Sequence, residues 1–268
     1  MTYVLGSDDP EIERLDRQAA WLERPTRLLL RAAGIEPGMR VLDLGTGLGH
    51  VAFALADMVG SSGHVTGIDS ADRMLAAASK RAQGCTQIRF TTGDVRHWTS
   101  DEPFDAVVGR LILFHLPNAV DVVRHHLTHL RRGGKFIALD YDMGSCRTEP
   151  PCPTATLNIR RVTDAFGNAH ADPMIGARLG LLLVDAGLVG TQSFGIQGYI
   201  GPDDPAGPAM LAGIVGTLAA QVVATGIATA EEIGMETLQA RLKAELQAAR
   251  SVIVPPTLAG AWGRNGPA

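Results

Sequence analysis

A basic surplus is missing from this chain: 24 Lys and Arg stand against 28 Asp and Glu, for a net charge of -4. With no Lys/Arg stripe either, nucleic acid is not an expected partner. Cysteine is scarce. Cys85, Cys146 and Cys152 form no C-x-x-C pair, and an odd count does not build a disulfide framework, so a reducing cytoplasm and packing roles are expected. The first sixteen residues carry acids and no apolar stretch of the kind that forms a signal peptide, which again points to a cytoplasmic location. Long apolar runs are almost lacking. The exception, Gly207 to Ile227, has no charge over 21 residues, but it is made largely of Ala, Gly and Thr and contains Pro208 and Gln221. It reads as a helix buried in a cap rather than a membrane span. No internal repeat is present, and 268 residues suffice for one large domain, or one domain with a cap, around a full core.

What is present is a rhythm. Residues 8–33 place Ile12, Leu15, Ala19, Leu22, Leu28 and Leu29 at helical spacing interrupted by Pro25, which predicts two helices. Strands and helices then alternate: strand 39–44, helix 49–59, strand 64–68, helix 71–82, strand 87–91, strand 104–109, helix 118–130 and strand 135–139. Such alternation argues for a parallel sheet with helices on both faces, an α/β, Rossmann-like, doubly wound fold. After Tyr141 the rhythm breaks at Pro150, Pro151 and Pro153. Helices are expected at 155–169, 176–186, 209–225 and 230–250, a sixth strand at 191–200 and a last short strand at 251–254. The organisation expected is an N-terminal helical cap over 1–34, a ligand-binding core over 35–145, and over 146–268 the rest of the sheet with inserted helices covering a substrate.

In an open parallel sheet, ligands sit beyond the carboxyl ends of the strands. The first strand ends in Asp43 and then Gly45-Thr46-Gly47-Leu48-Gly49, a turn that lets backbone approach a ligand closely. The second ends in Asp69, 24 positions after Gly45, where a carboxylate can accept from both hydroxyls of a ribose. The third ends in Gly93-Asp94-Val95, where a carboxylate and a backbone N–H can read an adenine edge. Dinucleotide binding competes with this reading. Its fingerprint is G-x-G-x-x-G/A, whereas here the glycines run G-x-G-x-G and His50 holds the position of the small residue.

The trio VLDLGTGLG, GIDSADRML and TTGDV resembles that of the class I S-adenosylmethionine-dependent methyltransferases. FDAVVGRLILFHLP followed by LRRGGKFIALD resembles the fourth and fifth strand regions of the small-molecule branch related to ubiquinone and menaquinone methyltransferases. The likeness covers about residues 35–140. It implies a mostly parallel seven-stranded sheet with one antiparallel strand and added cap helices, S-adenosyl-L-methionine as cofactor and S-adenosyl-L-homocysteine as product. By the same likeness Asp43, Gly45 and Gly47 border the methionine moiety, Asp69 the ribose, and Asp94 with Val95 the adenine, with Thr46, Ser70 and Met74 as further cofactor-binding candidates. Tyr3, in an opening that resembles actinobacterial members of that branch, is a candidate to close over the cofactor. The rival readings are an S-adenosylmethionine-binding enzyme that rearranges, cyclises or decarboxylates without methylating, a nucleotide-sensing or partner-binding module, and an NAD-linked reductase.

For the acceptor side, Arg110 ends the fourth strand and Asp140 with Tyr141 ends the fifth, so all three are expected to face the pocket. Arg110 is a candidate for the cofactor carboxylate. Asp140 reads as a base or substrate anchor, or as a cap on the following turn; His115 reads as a base or a turn-stabilising histidine. His125, His126 and His129 have one-turn helical spacing but no acid or cysteine among them, and are read as a solvated basic face with no metal. His97 and Trp98 are candidate adenine-pocket neighbours, with Trp98 alternatively core. The helices at 8–33 and 209–250 are the expected cover. The partner expected is a small-molecule acceptor, with no nucleic acid or membrane, and a homodimer remains open.

Overall fold

In the computed structural model, which describes residues 9–266, the elements follow one another as α1 (Asp9–Ala32), β1 (Arg40–Leu44), α2 (His50–Val59), β2 (His64–Asp69), α3 (Asp72–Arg81), β3 (Ile88–Thr92), β4 (Phe104–Arg110), α4 (Ala119–Leu127) and β5 (Leu130–Asp142). Then come β6 (Arg147–Glu149), α5 (Pro153–Asn168), α6 (Leu179–Asp185), β7 (Val189–Ile196), α7 (Ala206–Ala224), α8 (Ala230–Ile233), α9 (Met235–Ala249), β8 (Val252–Val254) and β9 (Thr257–Arg264). The main sheet has seven strands in the order β3-β2-β1-β4-β5-β9-β7. All its pairings are parallel except those of β9, which runs antiparallel to both β5 and β7. The order reverses between β1 and β4, and this is where such a sheet opens a crevice at its carboxyl edge.

Strand periodicity divides the core. Val41, Val65, Val108 and Leu139 pack with α1 and α2 on one face, while Leu42, Ile68, Val107 and Phe136 pack with α4, α5 and α6 on the other. Each buried aliphatic side chain contributes about 1.5–3 kcal/mol, so the two faces together are the main source of the sheet's stability.

The two helices expected before the first strand are a single helix, α1, which runs through Pro25. The face carrying Ala19, Leu22, Leu29 and Leu30 is buried without interruption. Burying those side chains outweighs the cost of about 3 kcal/mol of an interior proline. At the other end of α1, Lys135 Nζ donates to Ala33 O at 2.8 Å, satisfying a terminal carbonyl.

Three more expectations change. The helix expected over 230–250 is broken at Gly234 into α8 and α9. The short strand near 251–254 does not join the main sheet but pairs with β6 in a separate two-stranded sheet. The seventh main strand is β9, which no periodicity announced, because a strand covered on both faces needs no alternation. Its small residues permit close packing: a Cβ at Gly260 would lie 3.0 Å from Leu29 and Leu139. The uncharged run is α7, long and apolar enough to cross a membrane by length and composition alone. Here it packs against α5 and α9, burying Leu211, Val215, Leu218 and Val222.

Candidate functional site

The β1–α2 turn is fastened from beneath. Asp43, 1% exposed, accepts from Thr46 Oγ1 at 2.6 Å, and Thr46 N–H donates to Ile68 O at the end of β2. Burial pushes the Asp43 carboxyl up to about 7; the Thr46 hydroxyl and the nearby Arg110 guanidinium oppose that rise, and Asp69 adds to it. Gly45 and Gly47 take positive φ, 63° and 52°. A Cβ on Gly45 would come within 2.7 Å of the Ile112 side chain, whereas one on Gly47 would meet nothing within 4 Å. One glycine is needed for packing, and the other presents bare backbone on an open side.

Asp69, half-buried at the end of β2, ties that loop to the next turn. Oδ2 accepts from Gly47 N–H at 2.8 Å and Oδ1 from Ala71 N–H at 2.9 Å. Two carboxylate oxygens offer about four acceptor positions, so two remain for a ligand's hydroxyls. Ser70 beside it is exposed and Met74 on α3 is buried. At the end of β3, Asp94 accepts from Arg96 N–H at 2.9 Å and from the Arg96 guanidinium, which holds its carboxyl down at about 2. The Asp94 carbonyl also receives His97 N–H and Trp98 N–H, closing a tight turn around buried Val95. Trp98 lies against the core, whereas His97 is exposed.

Side chains along α1 reach these strand ends. Asp16 bonds His50 Nε2 at 2.8 Å and forms an ion pair with Arg81, Thr26 accepts from Arg110 Nη1 at 3.1 Å, and Gln18 bonds Tyr141. Arg110 is half-buried; burial lowers its pKa and Asp43 and Tyr141 support its charge. Burial also pushes Tyr141 up to about 12. Arg14, Asp16, Gln18 and Thr26 were not singled out in the sequence. Their one signal is polar residues on the helix face that also carries Leu22, visible only once the helix is known to pass Pro25.

Asp140 and His115 sit deeper than their strand-end positions suggest. Asp140 is wholly buried, with Oδ2 accepting from Phe114 N–H at 3.3 Å and Oδ1 without a partner among the described residues. Burial pushes its carboxyl up to about 8, against the backbone N–H groups of Phe114, Leu113 and Tyr141. His115 stacks edge-on against Phe114 at 4.5 Å, and burial, then Arg14, lowers it to about 4. The strand ends therefore bring together Asp43, Gly45, Thr46, Gly47, Asp69 and Arg110, place Asp94 and Val95 two strands away from β1, and set Asp140 under the turn after β4. Tyr3 lies outside the described residues. The histidines at 125, 126 and 129, the first two on α4 and the third in the turn after it, require a correction: His126 is 0% and His129 5% exposed, so they are no solvated face. Helices α7 and α9 are not tied to the strand ends by any bond recorded among the described residues; they pack on α5.

Residues 35–173 match a family described as a methyltransferase domain. Among curated relatives, trans-aconitate 2-methyltransferase of Rhizobium rhizogenes is 33% identical over 127 residues, 47% of this chain and 47% of that protein. The 2-phytyl-1,4-naphtoquinone methyltransferase of Synechococcus elongatus is 34% identical over 118 residues, 42% of this chain and 51% of that protein. The chain thus spans about half the length of these relatives. Among solved structures, Haemonchus contortus phosphoethanolamine N-methyltransferase 2, in complex with phosphomonomethylethanolamine and S-adenosylhomocysteine, superposes over 91% of this chain and 53% of that one, with TM-score 0.56 and 16% identity. The YcgJ protein of Bacillus subtilis superposes over 91% and 100%, with TM-score 0.55 and 18% identity. At that identity the likeness is one of fold.

Proposed function

Because this chain belongs to the methyltransferase-domain family, we propose that it moves a methyl group from S-adenosylmethionine to an oxygen, nitrogen or carbon of a small-molecule acceptor, leaving S-adenosylhomocysteine. The observation that carries this reading is the Asp69 carboxylate bonded to Gly47 N–H, which links the open glycine turn of β1 to the acid that closes β2. The residues fit the cofactor. Gly47 leaves space for a ligand, and Asp69 keeps acceptor positions for two hydroxyls. Arg110 offers a positive charge for the carboxylate end of an amino acid, while the buried Asp43 holds the turn through Thr46. The fit is to a nucleoside without phosphate, since the turn carries no lysine.

When bound, the cofactor supplies an electrophilic methyl on a positively charged sulfur. The chain's part is to align an acceptor in line with that methyl and to exclude water, the work of α1 over the strand ends. Burial lowers His115 to about 4, which makes it a weak base, and Asp140 stays protonated up to about pH 8, so neither is a strong general base at neutral pH. The family relatives named for small acids and quinones support a small acceptor, and three unpaired cysteines support a cytoplasmic setting.

Calorimetry with S-adenosylmethionine and S-adenosylhomocysteine tests the reading. Saturable heat with each is expected, and heat with neither would sink it. Product mass then separates methyl transfer, a gain of one methyl, from a cofactor that is bound but not consumed.

A further inference from the structure

Three imidazoles at the end of α4 enclose a common point. Their ring centroids are 4.9, 5.1 and 5.2 Å apart for the pairs His125–His126, His125–His129 and His126–His129, and one nitrogen from each lies within 4.8 Å of the other two. The hydrogen-bond network assigns their protons. His126 Nε2 is 2.7 Å from Val95 O and His125 Nε2 is 2.8 Å from Trp98 O; a carbonyl only accepts, so both nitrogens carry hydrogen and both Nδ1 atoms present lone pairs. His126 Nδ1 then accepts from His129 Nδ1–H at 3.1 Å, so a metal held by both nitrogens requires the His129 proton to move to Nε2.

The 3.1 Å between His126 Nδ1 and His129 Nδ1 and the ring spacings near 5 Å approach those of a metal centre, and turning a ring closes the wider separations of up to 4.8 Å. With Zn–N bonds of about 2.0–2.1 Å at tetrahedral angles, two ligand nitrogens stand about 3.4 Å apart and two ring centres about 5 Å apart. Outer N–H groups bonded to backbone carbonyls are the usual support of ligating imidazoles, because they fix the tautomer and the ring orientation. The carbonyl-rich end of a helix also favours a cation.

We propose that His125, His126 and His129 bind one divalent transition ion of imidazole preference, Zn2+, Co2+ or Ni2+, with a water in the fourth position. Through His126 and His125 the ion fastens the carbonyls of Val95 and Trp98, and with them the turn after β3, to α4. This does not depend on what the strand ends bind.

The test is titration of the chelator-treated full chain with Co2+, read by its visible absorption. One equivalent is expected to bind, to be displaced by Zn2+, and to be weakened roughly 100-fold or more in His129→Ala, since even loss of an outer partner costs about 10–100-fold. His64→Ala, at an exposed position in β2, is the control and is expected to leave the affinity unchanged. Failure to bind one equivalent, or equal affinity in His129→Ala, overturns the proposal. Should His129→Ala not fold, nitrogen NMR of the unaltered chain with Zn2+ decides. Shifts confined to His125, His126 and His129 support the site, and shifts only at the other five histidines overturn it.

Discussion

The strand-end half of the sheet and the helical layer of α5 and α7–α9, called the cover after its expected role, are both well packed, but they place their polar groups differently. At the strand ends, carboxylates hold backbone N–H groups of turns: Asp69 holds Gly47 and Ala71, and Asp94 holds Arg96. In the cover, side chains bridge helix to helix: Gln221 donates to Ala165 O at 2.7 Å, Arg161 to Glu232 O at 3.2 Å, and Glu245 accepts from Thr154 N–H. The first arrangement shapes a surface with acceptor capacity to spare. The second ties helix to helix and yields a support, with Asn158 Oδ1 and Arg161 Nε on α5 left without a partner among the described residues. A binding site and its scaffold can therefore be told apart by where the polar groups point, even when apolar burial is similar.

Asp140, where the two halves meet, is the place to strain this distinction hardest. Its folded carboxyl is raised to about 8 from an ordinary 3.8, so its contribution is fully present below about pH 4 and is lost as pH rises to about 8. Relative to Asp140→Asn, the unaltered chain is expected to lose on the order of 5 kcal/mol across that interval, at about 1.4 kcal/mol per unit. Urea unfolding of both proteins at several pH values measures this. A difference that does not vary with pH would show that Asp140 ionises freely and belongs with the solvent-facing acids.

Within the cover, Leu242 on α9 is 0% exposed. Leu242→Ala is expected to lower stability by about 2–5 kcal/mol while leaving the affinity for S-adenosylhomocysteine unchanged. Denaturant midpoints with calorimetry check both, and a parallel loss of affinity would break the division into site and support.

Asp69→Ala makes the reverse prediction. Two charge-assisted bonds to a ligand and the anchor of the glycine turn go together, so cofactor affinity is expected to fall by about 2–3 kcal/mol, roughly 30- to 150-fold, and further than in Asp140→Ala. Equal loss in the two variants would remove the assignment of the ribose to Asp69.

Most of the sheet was legible because its signals are local. Apolar runs ending in Asp43, Asp69 and Asp94 fix the strands, their directions and the edge where a ligand lies, all from spacings of a few tens of residues. Membership of the methyltransferase-domain family rests on the same stretch. The reach of α1 was not legible in the same way. Pro25 is a local stop signal that the burial of Leu22, Leu29 and Leu30 overrules, and only then do Asp16 and Thr26 reach His50 and Arg110.

By itself, then, the sequence determined the alternating elements, the glycine turn and the three acids of the carboxyl edge, because hydrophobic period and backbone freedom act over neighbouring residues. Only tertiary structure decided that β9 enters between β5 and β7, that Asp140 is sealed from water, and that His125, His126 and His129 gather around one point. Burial, and with it the protonation state of a carboxyl or an imidazole, depends on what distant segments pack against it, and no spacing along the chain records that.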